Sequence, residues 1–202
     1  MTPELAELRR GNLTASMAAV IMGDLKTDGL ARYVRKLAGE RVYGDLGEEG
    51  FTSAKMQDGT ECEPEALEWA EFHFDRPLVR GPHIVHPSIP YVAATPDAVL
   101  DGIPLEIKSP LFHVWADTLE RSRRVSGIEA IPSQYRWQCR WQCWCLGVLD
   151  GKFISYHRRS GAVVIAFTVT DDEIAQMEKR AQVVEGLVRN WVELLNDGRL
   201  SE

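Results

Sequence analysis

Three residues stand out for their type and spacing: Asp97, Glu106 and Lys108, in the run ATPDAVLDGIPLEIK from Ala94 to Lys108. Asp101-Gly102 marks a tight hairpin turn inside that run. Glu106 and Lys108 lie two apart on the second arm, so their side chains share one face of a strand. Pairing through the turn brings Asp97 towards them. Two carboxylates offer hard oxygen ligands to a Mg²⁺ ion, and the peptide carbonyl of Ile107 adds a third oxygen. Lys108 can orient or deprotonate an attacking water, or stabilise charge on phosphorus. A Glu-x-Lys pair alone is usually an exposed salt bridge. The whole pattern is less common: Pro-Asp, a turn, then Glu and Lys separated by one apolar residue. It points to metal-assisted cleavage of a phosphodiester.

The surrounding sequence supplies the elements that must position these groups. Thr14 or Ser16 can cap a short helix over Met17–Met22, closed by Gly23. Asp28 begins a second helix with Leu30, Tyr33, Val34 and Leu37 on its apolar face, closed by Gly39. Glu63-Pro64-Glu65 reads as the first turn of a third helix, where proline is tolerated, with Glu61 and Glu65 serving the helix dipole. Short β-rich runs follow at Leu78–Val85, Tyr91–Ala94, Val99–Leu100 and Pro104–Ile107. A long helix is expected from about Pro132 to Leu146, ended by Gly147. A hairpin opening at Asp150-Gly151 comes next, with arms Phe153–His157 and Val163–Val169. The last helix is expected over Asp171–Leu195, with acidic residues in its first turn. The pattern predicts one α/β domain spanning residues 1–202, with a central mixed β-sheet flanked by helices.

Composition bounds the possibilities. The chain has 202 residues, 45% of them hydrophobic and 26% charged, with a formal charge of −7. That is ordinary for a globular chain and excludes disorder and collagen-like repeats. No apolar run approaches ~18 residues, so no membrane span is expected. The start of the chain lacks an apolar signal core, so no secretory leader is expected. The net negative charge, taken alone, argues against a nucleic-acid partner. Its distribution argues otherwise. Residues 44–106 carry 3 basic and 13 acidic side chains, and residues 107–160 carry 9 basic and 4 acidic ones. A carboxylate-lined cation site beside an anion-binding surface suits phosphodiester chemistry.

Gln134, Gln138 and Gln142 recur every four residues on one stripe of the long helix. Trp137, Trp141 and Trp144 share an adjoining stripe and Arg136 and Arg140 a third, which raises base stacking against the alternative of core tryptophans. Four cysteines, Cys62, Cys139, Cys143 and Cys145, raise an iron–sulfur site. On a helix, however, Cys145 points nearly opposite Cys139 and Cys143, so reduced, buried thiols are expected. Five scattered histidines show no zinc spacing. His83 and His86 precede the Asp97 strand and could lie near the site, with ordinary loop histidines the expected reading.

The catalytic pattern resembles the PD-(D/E)xK nuclease superfamily. Three further segments resemble the lambda exonuclease family of phage-type viral recombinases within it. They are Arg9-Arg10-Gly11-Asn12-Leu13-Thr14-Ala15-Ser16, Gly59-Thr60-Glu61-Cys62-Glu63-Pro64-Glu65-Ala66, and Gln138-Cys139-Arg140-Trp141-Gln142. They occur in the family's order and, with the catalytic pattern, span about three quarters of the chain. Arg140 stands where the family often has a second glutamine, and Ala98 where a glycine often follows the aspartate.

The resemblance implies a restriction-endonuclease-like core. It implies Asp97, Glu106 and Glu63 as metal ligands with the Ile107 carbonyl, and Lys108 as the catalytic lysine. It implies two Mg²⁺ ions, with Mn²⁺ as a substitute. Arg9, Ser16 and Gln138 would form a pocket for a 5′-terminal phosphate beside Thr14, with Arg10 the alternative to Arg9. Lys26 would contact the duplex backbone and Met56 the terminal base pair. The implied activity is a 5′→3′ exonuclease on double-stranded DNA ends, releasing mononucleotides and leaving a 3′ overhang. The implied partners are two further copies in a ring-shaped homotrimer and a single-strand annealing protein. The setting would be the cytoplasm of a bacterial host, with a phage or prophage as the source. The rival readings are an endonuclease on the same core, of iron–sulfur or restriction type, and a non-catalytic DNA-end-binding module.

Overall fold

The computed structural model describes residues 3–44, 46 and 54–199. Along the chain, α1 (Pro3–Arg9) leads into the two-residue strand β1 (Leu13–Thr14) and a 3₁₀ turn over Ala15–Met17. Helices α2 (Ala18–Met22), α3 (Asp28–Tyr43) and α4 (Ala54–Phe74) follow. Next come β2 (Val79–Arg80), β3 (Ile84–His86), β4 (Ile89–Ala94), β5 (Ala98–Leu100) and β6 (Ile103–Lys108). The rest is α5 (Phe112–Ser122), a 3₁₀ turn at Gly127–Ala130, α6 (Ser133–Leu146), the hairpin β7 (Asp150–His157) and β8 (Gly161–Thr168), and α7 (Asp171–Arg199).

The strands form two sheets. The larger has the order β2-β5-β6-β7-β8, and the smaller β1-β4-β3. Both are mixed: β6 runs parallel to β7, and β1 parallel to β4, while the remaining pairs are antiparallel. Helix α4 covers one face of the larger sheet, where Ala66, Leu67 and Ala70 pack with Leu105, Ile107, Ile154 and Tyr156. Helix α6 lies on the opposite face, wedged between the two sheets, with every residue from Cys139 to Cys145 buried. A helix enclosed on all sides shows no clean amphipathic stripe, so its Gln, Arg and Trp stripes do not divide into core and surface.

The chain positions several elements as its sequence predicts. Asp101 and Gly102 take φ values of 49° and 83°, the paired positive angles of a type I′ turn between β5 and β6. Gly147 ends α6 in the left-handed conformation. Other boundaries differ for physical reasons. Helix α3 does not stop at Gly39. It continues to Tyr43, and Gly39 serves close packing, since a Cβ there would come within 3.2 Å of the Leu46 side chain. Helix α4 starts ten residues before Pro64 and carries that proline inside. Glu65 is therefore mid-helix and not a dipole partner: it accepts hydrogen bonds from Tyr156 Oη and Arg158 Nε, both at 2.7 Å, tying α4 to β7. No side chain caps the turn after Thr14, and Gly23 ends α2 with extended backbone. Leu78–Val85 splits into β2 and β3, in different sheets. Helices α1 and α5 and strand β1 lie outside the elements that the sequence analysis predicts.

One interhelical clamp fixes the N-terminal segment. Arg41, in the last turn of α3, donates two hydrogen bonds to Glu185 of α7 at 2.8 and 2.9 Å and a third to the Gly11 carbonyl at 2.8 Å. Gly11 N–H in turn donates to Glu40 at 2.8 Å. Glu185 is buried, so Arg41→Ala strands a carboxylate that, among the described residues, keeps Arg189 alone as an ion-pair partner. We expect a loss of about 2–3 kcal/mol, below the fully buried limit because Arg41 is partly solvated. Urea denaturation measures it; an unchanged midpoint would refute the clamp.

Candidate active site

Strand β6 builds the catalytic end. Its backbone alternates: Ile103 and Leu105 pair with β5, so Ile107 faces the same side, where β5 has already ended at Ala98. Its N–H donates to Asp97 Oδ2 at 2.6 Å. The N–H and C=O of a strand residue point the same way, so the Ile107 carbonyl is directed towards the aspartate side too. The Asp97 carbonyl is itself held by Gly81 N–H at 2.9 Å. The turn, the end of β5 and this side-chain bond together place Asp97 beside the Glu106–Lys108 strand.

Glu106 is 1% exposed, on the face that meets α6. A buried carboxylate needs partners, and three are present. Gln138 Nε2 donates to Oε1 at 2.6 Å, Gln142 Nε2 donates to Oε2 at 2.5 Å, and the Lys108 ammonium forms an ion pair with Oε1. A carboxylate has about four acceptor sites, so Oε2 keeps capacity for one more ligand. Burial pulls the Lys108 pKa down, but the Glu106 and Asp97 carboxylates outweigh it and hold the ammonium above its ordinary value. Lys108 also sits 5.3 Å from the centre of the Tyr135 ring, a cation–π contact. Among the described residues no three His, Cys, Asp or Glu side chains form a ready metal cage. The donor set of Asp97, Glu106 and the Ile107 carbonyl is all hard oxygen and fits a magnesium-type cation. The side chain of Glu63, the third expected carboxylate, lies outside the described residues, as does that of Met56.

A second group assembles at the end of the smaller sheet. Arg9 Nη2 donates to Ser16 Oγ at 2.8 Å, and Ser16 Oγ lies 3.3 Å from Thr14 Oγ1. Arg10 turns instead to Glu7, so Arg9 is the arginine beside Ser16. Tyr33 fixes this segment: its hydroxyl accepts from Thr14 N–H at 3.2 Å and donates to the Asn12 carbonyl at 3.1 Å, and burial pushes its pKa up to about 12. His83 Nδ1 lies 3.3 Å from Thr95 Oγ1, two residues before Asp97. Burial, then the nearby Arg9 charge, lower the His83 pKa, so its imidazole is neutral near pH 7. The unfolded chain therefore takes up this proton first. Stability should fall as pH drops below the ordinary histidine value of about 6.5. His83→Asn should flatten that part of a stability–pH curve, and an unaltered slope would refute the assignment.

Gln138, expected beside Arg9 and Ser16, donates one Nε2 hydrogen bond to Glu106 Oε1. Gln142 was legible only as part of the four-residue glutamine stripe, and Tyr135 carried no signal at all. Gln142→Leu removes one of three partners of a buried carboxylate and should cost about 1–3 kcal/mol; a thermal melt of the variant checks it. Lys26 is exposed in the turn after α2 and meets none of these groups, with its N–H on Asp24 Oδ1 at 2.9 Å.

The tryptophan stripe is not a stacking surface. Trp141 and Trp144 are core residues, Trp141 Nε1 donates to the Ala93 carbonyl at 3.2 Å, and Trp137 lies under the Arg140 guanidinium. Arg140 bonds Glu173 and Arg136 bonds Glu129. His86 packs on Trp144. Cys139, Cys143 and Cys145 are free, buried thiols, and burial pushes Cys143 up to about 12. They are inert at neutral pH. The side chain of Cys62 lies outside the described residues.

The fold is similar to that of the alkaline exonuclease LHK-Exo from Laribacter hongkongensis, with TM-score 0.84, 25% identity and 99% of each chain covered. The complex of LHK-Exo with dAMP is similar to the same extent, with TM-score 0.85, 25% identity and 99% of both chains covered. A phage related exonuclease from Haemophilus somnus 129PT shares the fold at 12% identity, with TM-score 0.67, covering 92% of this chain and 96% of that one. No curated protein matches the chain in sequence. The model of the YqaJ-like viral recombinase domain matches residues 4–149, and the chain belongs to that lambda-exonuclease-like family.

Proposed function

We propose that the protein is a Mg²⁺-dependent exonuclease that degrades the 5′-ended strand of linear double-stranded DNA to mononucleotides, leaving a 3′ overhang. The observation that carries the reading is the state of Glu106. A fully buried carboxylate is held by two glutamines and a lysine, with Asp97 locked to the adjacent backbone N–H. Such an arrangement is costly for stability alone, and it makes sense as a preorganised cation site. Asp97, Glu106 and the Ile107 carbonyl would hold the cation, with Glu63 as the further carboxylate and a second ion beside it. When bound, magnesium supplies Lewis acidity to the phosphoryl oxygens and lowers the pKa of a bound water.

The chain's own groups do the rest. Gln138 and Gln142 fix the Glu106 carboxylate so that it needs no reorganisation. Lys108 remains a charged donor beside the scissile phosphate, stabilising negative charge as it builds. Arg9 and Ser16, with Thr14, hold the terminal 5′-phosphate and set the register one nucleotide from the cut. Lys26 extends the contact to the duplex backbone. The LHK-Exo likeness supports exonuclease action, and its complex with dAMP is in keeping with release of a mononucleotide. The family resemblance further supports a ring-shaped homotrimer around the duplex, a single-strand annealing partner, and a phage or prophage setting in the bacterial cytoplasm. Residues 1–202 act as one nuclease domain in this reading.

The test is incubation of linear 5′-phosphorylated duplex with Mg²⁺, with either end labelled. We expect label at the 5′ end to appear first as mononucleotide, and a closed circle to survive. Removing the 5′-phosphate, or Arg9→Ala on a phosphorylated end, should slow initiation by about 10- to 100-fold. Equal rates on phosphorylated and dephosphorylated ends would reject the pocket, and cleavage of the circle would reject the exonuclease.

A further inference from the structure

A basic cleft lies apart from the Asp97–Glu106 site. It has a volume of about 930 Å³ and lies between α1, the turn at Ser16 and the exposed face of α3. Arg9 and Ser16 form one end of it, while none of Thr95, Asp97, Glu106 and Lys108 lines it. The Arg9 charge also reaches His83, which lies 3.3 Å from Thr95, two residues before Asp97. Five of its lining side chains are cations and one, Glu40, is an acid. Glu40 is committed to Gly11 N–H and lies 3.6 Å from Lys36. Arg32 and Arg35, one turn apart on α3, are exposed and have no carboxylate partner among the described residues. Arg35 lies 5.3 Å from the centre of the Trp191 ring. The floor is apolar, with Val20 and Leu37 beside the Tyr33 ring.

On the exonuclease reading, this placement has a chemical consequence. Hydrolysis leaves a nucleoside 5′-monophosphate with its phosphate on Arg9 and Ser16, and the new 5′-phosphate of the shortened strand back at the catalytic strand. The duplex blocks departure in that direction. No part of the intact strand lies beyond its own terminal phosphate. We propose that the α1–α3 cleft binds the released nucleoside 5′-monophosphate and is its exit, with Arg32 and Arg35 drawing the phosphate off Arg9 while the apolar floor accepts the base. A site of this kind needs cations for the phosphate and apolar area for the base, and the cleft has both. Its volume exceeds that of one mononucleotide, so the product can move within it.

The proposal rests on the exonuclease reading, and the experiment separates the two. The metal-free full chain is titrated with dAMP, followed by calorimetry and by tryptophan fluorescence, with Trp191→Phe identifying the Arg35-linked signal. We expect dAMP to bind, deoxyadenosine to bind far more weakly, and R32A/R35A to weaken dAMP by about tenfold or more. R32K/R35K should restore most of it. In R32A/R35A, steady-state nucleotide release should fall more than release of the first nucleotide. Equal dAMP affinity in wild type and R32A/R35A would overturn the exit. So would a loss confined to a single-stranded hexanucleotide, which would make the cleft a strand path. Wild type that binds dAMP through these arginines but releases no nucleotide from duplex ends would overturn the exonuclease reading instead.

Discussion

Asp97→Ala should abolish nucleotide release from linear duplex, by on the order of 10³-fold or more, a barrier increase of about 4 kcal/mol or more. The reason lies in two separate jobs of one carboxylate. In the proposed mechanism its charge contributes to the cation site, and its Oδ2 accepts the Ile107 N–H that β5 does not reach. Alanine loses both. The structural share is small, about 1–2 kcal/mol for one orphaned backbone donor beyond the end of β5. The backbone of residue 97 stays anchored through its carbonyl to Gly81. Asp97→Asn separates the jobs. It keeps an acceptor for Ile107 and a near-wild-type melting temperature, yet should be about as inactive as alanine. Release of acid-soluble label and a thermal melt, run on both variants, check this. A fast Asp97→Asn enzyme would mean that the carboxylate is structural and the metal site lies elsewhere.

Lys108→Met should lower the rate by about 10²- to 10⁴-fold. The more telling result is its pH dependence. Burial works against the charge on Lys108, but the Glu106 and Asp97 carboxylates win and raise its pKa in the folded chain. For a raised lysine pKa, the stabilising contribution is fully present below the ordinary value of about 10.4 and is lost only as pH rises through the folded value. In metal-free protein, the stability gap between wild type and Lys108→Met should therefore be flat from neutral pH to about 10. If Lys108 works as a fixed cation, the variant's rate falls equally at every pH and the profile keeps its shape. A wild-type profile with an alkaline limb that disappears in Lys108→Met would show a titrating lysine and a base in place of a charge stabiliser.

Much of the site was legible because it is local. Asp97, the Asp101-Gly102 turn, Glu106 and Lys108 lie within twelve residues. A type I′ hairpin leaves little freedom in how such a segment pairs, so chemistry and geometry are written in the same stretch. The Arg9–Ser16 contact is similarly short in range. The charge division was also informative. The acidic block contains Asp97 and Glu106, the basic block begins near Lys108, and the net −7 averaged them away.

The α/β architecture, the hairpin, most helices and the identity of the candidate reactive groups are thus legible in the sequence alone. Each is set by short-range sterics, apolar period or local spacing. The surroundings of those groups depend on the assembled fold. Gln142 could be assigned to Glu106 only once α6 lay across β6, thirty-six residues away. Trp141 and Trp144 became core because α6 is enclosed between two sheets, a fact its own periodicity does not encode. Gly39 does not end α3, because it packs closely against Leu46, a contact no local pattern shows. The basic cleft is formed by side chains from α1, the Ser16 turn and α3, which no local pattern links. Backbone preference acts over a few residues, whereas burial and electrostatic partnership depend on which distant segments the fold brings together.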